Sequence, residues 1–323
     1  MADVVTIGLA VAAIGGALAG WTAVGESSIE AKYPPLGEMV TVAGQSLHLT
    51  DRGDGPAVIL VHGANSNLRD FEASIGPLLV DAGMRVLNVD RPGFGYSPRP
   101  EGPWQSPSDL ADLFLQLAEE RGASQPVVVG HSWAGSVVMA AAVDHPGRIR
   151  GGVLLAGAVG HWAGSVGATY DWGSKPLIGP VMAWSVVYPY GSRVLPEAVA
   201  RVLAPDPVPA DYVERIGAPL ALRPGTFRHN IEDMTRLSEY LQTLSRGYAD
   251  LAVPLLAIHG TADELVPFWN HGRRLRWAYP ALQVRMLDGV GHVPHHARPA
   301  EVAQSIADFV RTTTVAAART STN

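Results

Sequence analysis

Short, uninterrupted apolar runs recur along this chain, each followed by a stretch whose apolar residues return every three or four positions. Ala57–Val61, Arg85–Val89, Pro126–Val129, Gly152–Leu155 and Pro254–His259 are such runs. A strand apolar on both sides must be covered on both faces, which is the situation of a parallel sheet between two layers of helices. The intervening stretches supply the helices. Asn67–Asp81 carries Leu68, Phe71, Ile75, Leu78 and Leu79 at helical spacing. Ser106 is placed to cap a helix to about Arg121, with Leu110, Leu113, Phe114 and Leu117 on one face. Ala134–Asp144, Trp269–Tyr279 and Pro299 to about Val310 read as further helices. Met39–Val42 and Ser46–Asp51, joined by a turn at Ala43-Gly44, and Gln283–Leu287 complete the strands. The prediction is an α/β fold with a mostly parallel sheet.

The rhythm breaks between about Gly157 and Leu251. Proline is frequent there (Pro176, Pro180, Pro189, Pro196, Pro205, Pro207, Pro209), and aromatic residues gather, among them Trp162, Trp172 and Trp184. Residues 157–251 are therefore expected to form a helical insertion. Residues 31–156 and 252–312 form the core, and the Thr/Ala-rich residues 313–323 a disordered tail.

Residues 1–30 stand apart. Val4–Gly25 holds no charge over 22 residues; as a helix that is about 33 Å, enough to cross a hydrocarbon core of about 30 Å. Gly16 and Gly20 form a G-x-x-x-G pair, and Trp21 sits where an interfacial ring would suit. One helix anchoring the protein to a membrane is the expected arrangement. A cleaved signal peptide, leaving a secreted or periplasmic protein, is the alternative: Ala17-Leu18-Ala19 resembles a cleavage site, although the segment before it offers Asp3 and no Lys or Arg. A helix packed on the protein is the third reading.

Composition excludes several functions. A net charge of −6 and no Lys/Arg run leave nothing basic enough to hold nucleic acid. With no cysteine, disulfides, thiolate metal sites and cysteine nucleophiles are impossible. His292, His295 and His296 have no neighbouring carboxylate or cysteine in the sequence to complete a ligand set, so no metal site is expected.

The chemistry is expected from serine. The strand Pro126–Val129 runs into Gly130-His131-Ser132-Trp133-Ala134-Gly135 and then directly into a helix. A serine hydroxyl is a poor nucleophile unless a base lies within hydrogen-bond reach and the hydroxyl is held exposed. A sharp strand-to-helix turn holds it so. Asp263, in His259-Gly260-Thr261-Ala262-Asp263, and His292, in Gly289-Val290-Gly291-His292, each follow a strand. Ser132, Asp263, His292 is the order expected when nucleophile, acid and base meet at the C-terminal edge of an α/β sheet. Two backbone amides should bind the oxyanion. One belongs to Trp133, after the nucleophile. The other is assigned to Ala64 in His62-Gly63-Ala64-Asn65, after the strand Ala57–Val61, with Asn65 the second choice.

These pieces, together with Asp90-Arg91-Pro92-Gly93-Phe94-Gly95-Tyr96-Ser97 and Val266-Pro267, resemble an α/β-hydrolase-fold serine hydrolase over roughly Met39 to Val310. The resemblance implies an eight-stranded sheet and makes the insertion a cap over the site. It implies no metal or cofactor. Ala134 stands where the family's turn usually has Gly, which predicts a slightly altered turn. Relatives with an aspartate nucleophile, the haloalkane dehalogenases and epoxide hydrolases, resemble the chain elsewhere, and serine at 132 argues against both chemistries.

The expected function is hydrolysis of a small carboxylic ester with an apolar or lipid-derived acyl group. Asn65, Trp133, Trp162, Trp172 and Trp184 are the expected pocket residues. Rival uses of the same triad are cleavage of a lactone, an amide or a carbon–carbon bond, or binding of a small ligand without turnover.

Overall fold

The apolar runs pair into one sheet of eight strands, ordered β1-β2-β4-β3-β5-β6-β7-β8. In the computed structural model, which describes residues 2–320, these are β1 (Glu38–Val42), β2 (Gln45–Arg52), β3 (Ala57–Val61), β4 (Arg85–Val89), β5 (Val127–His131), β6 (Gly151–Leu155), β7 (Leu255–Gly260) and β8 (Gln283–Leu287). β1, β2 and β4 pair antiparallel, and every pairing from β4 to β8 is parallel. Side chains alternate across a strand, so each central strand feeds two cores. Ile59 and Val61 join Leu110, Phe114, Val137 and Leu241 on one face. Val58 and Leu60 join Phe71, Ile75, Val302 and Ile306 on the other.

The helices are α1 (Ala2–Lys32), α2 (Arg69–Glu72), α3 (Ile75–Asp81), α4 (Pro107–Glu120), α5 (Gly135–Asp144), α6 (Ala168–Gly173), α7 (Ile178–Met182), α8 (Tyr188–Leu203), α9 (Tyr212–Arg215), α10 (Pro224–Leu244), α11 (Gly272–Ala278), α12 (Pro294–Ala297) and α13 (Pro299–Thr320). Ser106 caps α4 through a reciprocal pair of hydrogen bonds with Asp109. The single helix expected over 67–81 is two. Ser74 leaves helical geometry (φ −137°, ψ −103°), and Pro77, with no N–H to give, fits only a first turn.

Among the described residues, every regular element between β6 and β7 is helical. The insertion is not a detached lobe, however. Leu237, Leu241 and Leu244 of α10, with Tyr248, share the core that covers α5. The tail expected from residue 313 is instead helical as far as Thr320. Thr313 is buried and bonds back to Phe309 and Val310, and Arg150 donates to Thr314 Oγ1 at 2.9 Å. The Arg150 contact holds the helix at Thr314, and alanine is the residue that least opposes a helix beyond it. Residues 321–323 lie outside the described residues.

α1 has two halves. From Thr6 to Lys32 it is long and apolar enough to cross a membrane, and Ile7, Leu9 and Ile14 are exposed. Its C-terminal end packs on protein. Ile29 and Tyr33 are buried against Leu220, Leu222 and Tyr188, and Glu30 pairs with Arg223 at 3.0 Å. Gly25 lies against the Tyr188 ring, where a Cβ would stand 2.1 Å from a ring carbon. The C-terminal end of the apolar segment is thus bound to the insertion.

Candidate active site

β5 passes into α5 through one tight turn, Ser132–Ala134. Ser132 has φ +52°, a left-handed conformation uncommon for a side-chain-bearing residue. Strain of this kind persists only where the surroundings impose it. Here they do. A Cβ on Gly130 would lie 2.3 Å from the Ala134 carbonyl oxygen, and one on Gly135 2.7 Å from Gly157 Cα. The turn closes only because both positions are glycine. Ala134 itself takes an ordinary helical conformation (φ −71°, ψ −5°), so the methyl that replaces the usual glycine is accommodated without a left-handed backbone.

The loops after β7 and β8 deliver the partners. Ser132 Oγ lies 2.9 Å from His292 Nε2, and His292 Nδ1 lies 2.9 Å from Asp263 Oδ2. Asp263 Oδ1 accepts the amides of Leu265 (3.0 Å) and Val266 (2.9 Å). His259 Nε2 donates to the Val266 carbonyl at 2.8 Å and lies 3.2 Å from Asp263 Oδ2. Burial pushes the Asp263 carboxyl pKa up. The hydrogen bonds from His259 and His292 outweigh burial and hold it well below the usual carboxylate range. An ionised carboxylate behind an imidazole, with a half-buried hydroxyl in front, can deprotonate that hydroxyl and stabilise the resulting imidazolium.

Residues 58–305 match the profile of the alpha/beta hydrolase family. The chain belongs to that family. The 2-hydroxymuconate semialdehyde hydrolase of Pseudomonas putida is 24% identical over 260 residues, covering 80% of this chain and 88% of the relative. Epoxide hydrolase A of Mycobacterium tuberculosis is 27% identical, covering 85% and 97%. Among solved structures, a putative aryl esterase from Burkholderia cenocepacia superposes with a TM-score of 0.69 at 21% identity, covering 86% of this chain and 99% of that one. The meta-cleavage product hydrolase CumD of Pseudomonas fluorescens gives 0.68 at 21% identity, covering 85% and 98%. These structural likenesses bear on the fold.

In this hydrolase the β3 loop reaches Ser132. A Cβ on Gly63 would lie 3.2 Å from Ser132 Cβ, which sets Ala64 beside the turn. The Asn65 amide is already committed, donating to Asn230 Oδ1 at 2.9 Å. Trp133 is not an open pocket wall. It is buried against the insertion, its Nε1 donates to the Asp233 carbonyl at 3.1 Å, and the Arg91 guanidinium lies 4.0 Å from its ring. Trp172 and Trp184 are also not lining residues; they are 56% and 42% exposed on the outside of the insertion. Both sit on short helical segments whose inner face is already filled by Ala183, Phe227 and Ile231. Trp162 is half-buried against the core, its ring 6.3 Å from that of His271. Asn65 is exposed, with φ +51°.

A buried charge cluster between the insertion and the core was not visible in the sequence. Arg91 Nη1 donates to Asp233 Oδ2 at 2.8 Å, and neither side chain is exposed. Arg99 donates to both Asp233 oxygens at 3.0 Å, Trp104 Nε1 to Oδ1 at 3.0 Å, and Arg91 Nη2 to the Gly63 carbonyl at 3.1 Å. The cluster thus ties α10 to the loop beside Ser132. Its partners lie 142 and 134 positions apart, so no local pattern announces it.

Two further histidines are held neutral by their bonding. His271 Nδ1 accepts the amides of Val159 (3.2 Å) and Gly160 (3.0 Å), and His62 Nε2 accepts that of Arg91 (3.0 Å). Burial, reinforced by neighbouring positive charge, lowers each from 6.5 to about 4. Between those values the unfolded chain takes up protons that the folded chain refuses. Their stabilising contribution is complete above 6.5 and is lost as pH falls toward 4. Thermal melts should therefore show a falling midpoint from about pH 7 to about pH 4.5; a flat profile would contradict this account.

Proposed function

We propose that this hydrolase cleaves carboxylic esters of small molecules through an acyl-enzyme intermediate. The observation that carries this reading is the continuous chain Ser132 Oγ–His292–Asp263, with both links at 2.9 Å. Ser132 attacks the ester carbonyl while His292 Nε2 takes its proton and then delivers it to the leaving alcohol. Asp263 holds the imidazole in the tautomer with Nδ1 protonated. The amides of Ala64 and Trp133 receive the oxyanion, each worth about 3 kcal/mol in the transition state. Water then repeats the cycle on the acyl group.

A serine rather than a carboxylate at the nucleophile position supports acyl transfer over epoxide opening. A second reading is carbon–carbon bond cleavage, favoured by the likeness to the Pseudomonas putida enzyme. That reading requires a cation for a carboxylate-bearing substrate. Arg91 and Arg99, beside the site, are already engaged by Asp233, which supports the uncharged ester. A panel of p-nitrophenyl esters, monoacylglycerols, lactones and a ring-fission diketone acid separates the two. Turnover of the diketone acid alone would overturn the ester reading.

We also read α1 as a membrane anchor. The exposed apolar N-terminal half projects from a C-terminal end that Arg223 and Tyr188 hold to the cap. The full chain should sediment with membranes and require detergent for release, whereas a chain lacking residues 1–20 should stay in the high-speed supernatant. Recovery of the intact chain in the supernatant without detergent would refute the anchor.

A further inference from the structure

Behind the triad histidine lies a second cluster, drawn from three distant parts of the chain. Asp70 of α2 faces His295 and His296 of α12 and His131 at the end of β5. His296 Nε2 lies 2.8 Å from Asp70 Oδ1, His295 Nε2 lies 3.2 Å from Asp70 Oδ2, and His131 Nδ1 lies 4.0 Å from the same Oδ2. Asp70, His131 and His295 are nine-tenths or more buried. Among the described residues, no arginine or lysine pairs with Asp70.

The proton inventory of this cluster is unusual. His131 Nε2 lies 3.0 Å from the His292 carbonyl, which can only accept, so Nε2 carries the ring proton. Nδ1 of His131 is then a bare lone pair. It has no hydrogen-bond partner among the described residues, and it faces a carboxylate oxygen. Two electron-rich atoms confronting each other in a buried space are unfavourable unless a cation lies between them.

We propose that Asp70, His131, His295 and His296 form a four-ligand site for a divalent transition metal, zinc by ligand type. Three imidazoles and one carboxylate are a set zinc accepts, and four protein ligands make a closed, structural site. Bonds of about 2.0–2.1 Å place tetrahedral ligand atoms about 3.3 Å apart. The ligand atoms of Asp70, His295 and His296 all lie within 4.8 Å of one another, and His131 Nδ1 lies 4.0 Å from Asp70 Oδ2, so binding draws the imidazoles inward to that spacing. The support behind one ligand is already built: His131 donates its other ring N–H to a backbone carbonyl, as metal-binding histidines do. On binding, the ring protons that His295 and His296 now direct at Asp70 move to their Nδ1 atoms, so the imidazoles stay neutral. The His295 Nδ1 is without a hydrogen-bond partner among the described residues. The ion neutralises the buried carboxylate. It also ties together α2, the residue before the nucleophile and the helix that follows His292.

The test uses the full, untagged chain in detergent, stripped with a chelator and titrated with Co2+ and then Zn2+. The expected result is the visible absorption of four-coordinate cobalt, saturating at one ion per chain and bleached by zinc. Zinc at a hundredfold excess over its Kd should raise the unfolding midpoint by about 5 °C. Asp70→Asn and His296→Gln should abolish the cobalt signal, while Ser132→Ala, outside the set, should keep it. Absence of the signal in the wild-type chain, or its persistence in both Asp70→Asn and His296→Gln, would overturn the site.

Discussion

Ser132→Ala is expected to lower ester turnover by about a millionfold, leaving the folded protein otherwise intact. The size follows from what the hydroxyl does: among the described residues no other group is hydrogen-bonded to His292 Nε2. The fold should survive because the Ser132 side chain makes no other hydrogen bond among the described residues. Alanine also tolerates the backbone there, since Ala43 (φ +51°) and Ala156 (φ +46°) already adopt the same region in this chain. The check is the rate on the best ester of the panel beside a thermal melt. Wild-type turnover in a folded Ser132→Ala protein would remove the assignment, whereas loss of turnover together with loss of the melting transition would remove the claim that the residue is structurally neutral.

Asp233→Ala should be among the most destabilising single changes, by about 3–5 kcal/mol, which corresponds to a fall of about 4–7 °C in the unfolding midpoint. Asp233 is fully buried and accepts from Arg91, Arg99 and Trp104. Removing it leaves Arg91, itself fully buried, with the Gly63 carbonyl as its remaining side-chain hydrogen-bond acceptor. The penalty is that of an uncompensated buried charge, which is larger than the net worth of the intact pair. Asp233→Asn keeps the shape and some of the acceptors and should fall between the two. Because Arg91 also holds the Gly63 carbonyl beside Ser132, turnover should drop in both variants below what the lost stability explains. A midpoint within about 2 °C of the wild type for Asp233→Ala would show that solvent or another group already neutralises Arg91.

The strands were legible because they are buried on both faces. A run such as Ala57–Val61 has no polar alternation, and a segment of that kind has few places to go except the middle of a covered sheet. The turn at Ser132 was legible for a related reason: Gly130 is demanded by a contact within five residues, with the Ala134 carbonyl, although Gly135 is demanded by Gly157, 22 positions away. What failed were statements about facing. Trp133, Trp172 and Trp184 share an amino-acid type and a neighbourhood in sequence, yet one is buried under Arg91 and two face outward. Aromatic content reports that a segment must bury area somewhere, not which side of a short helix does so. The helical run to Thr320 was missed because a Thr/Ala-rich stretch lacks an apolar stripe, and its support comes from Arg150, 164 positions away in the sequence.

The sequence alone determined the layered α/β architecture and the order Ser132, Asp263, His292, because both depend on patterns that repeat or close within a few residues. Only the tertiary structure decided which charges meet. Asp70 reaches His295 across 225 positions and Arg91 reaches Asp233 across 142. The absence of a carboxylate near His292, His295 and His296 in the sequence had argued against any metal, and the fold supplies one from α2. Buried electrostatics depend on distance in space, and the sheet, by bringing the ends of its parallel strands to one edge, sets those distances without regard to separation along the chain.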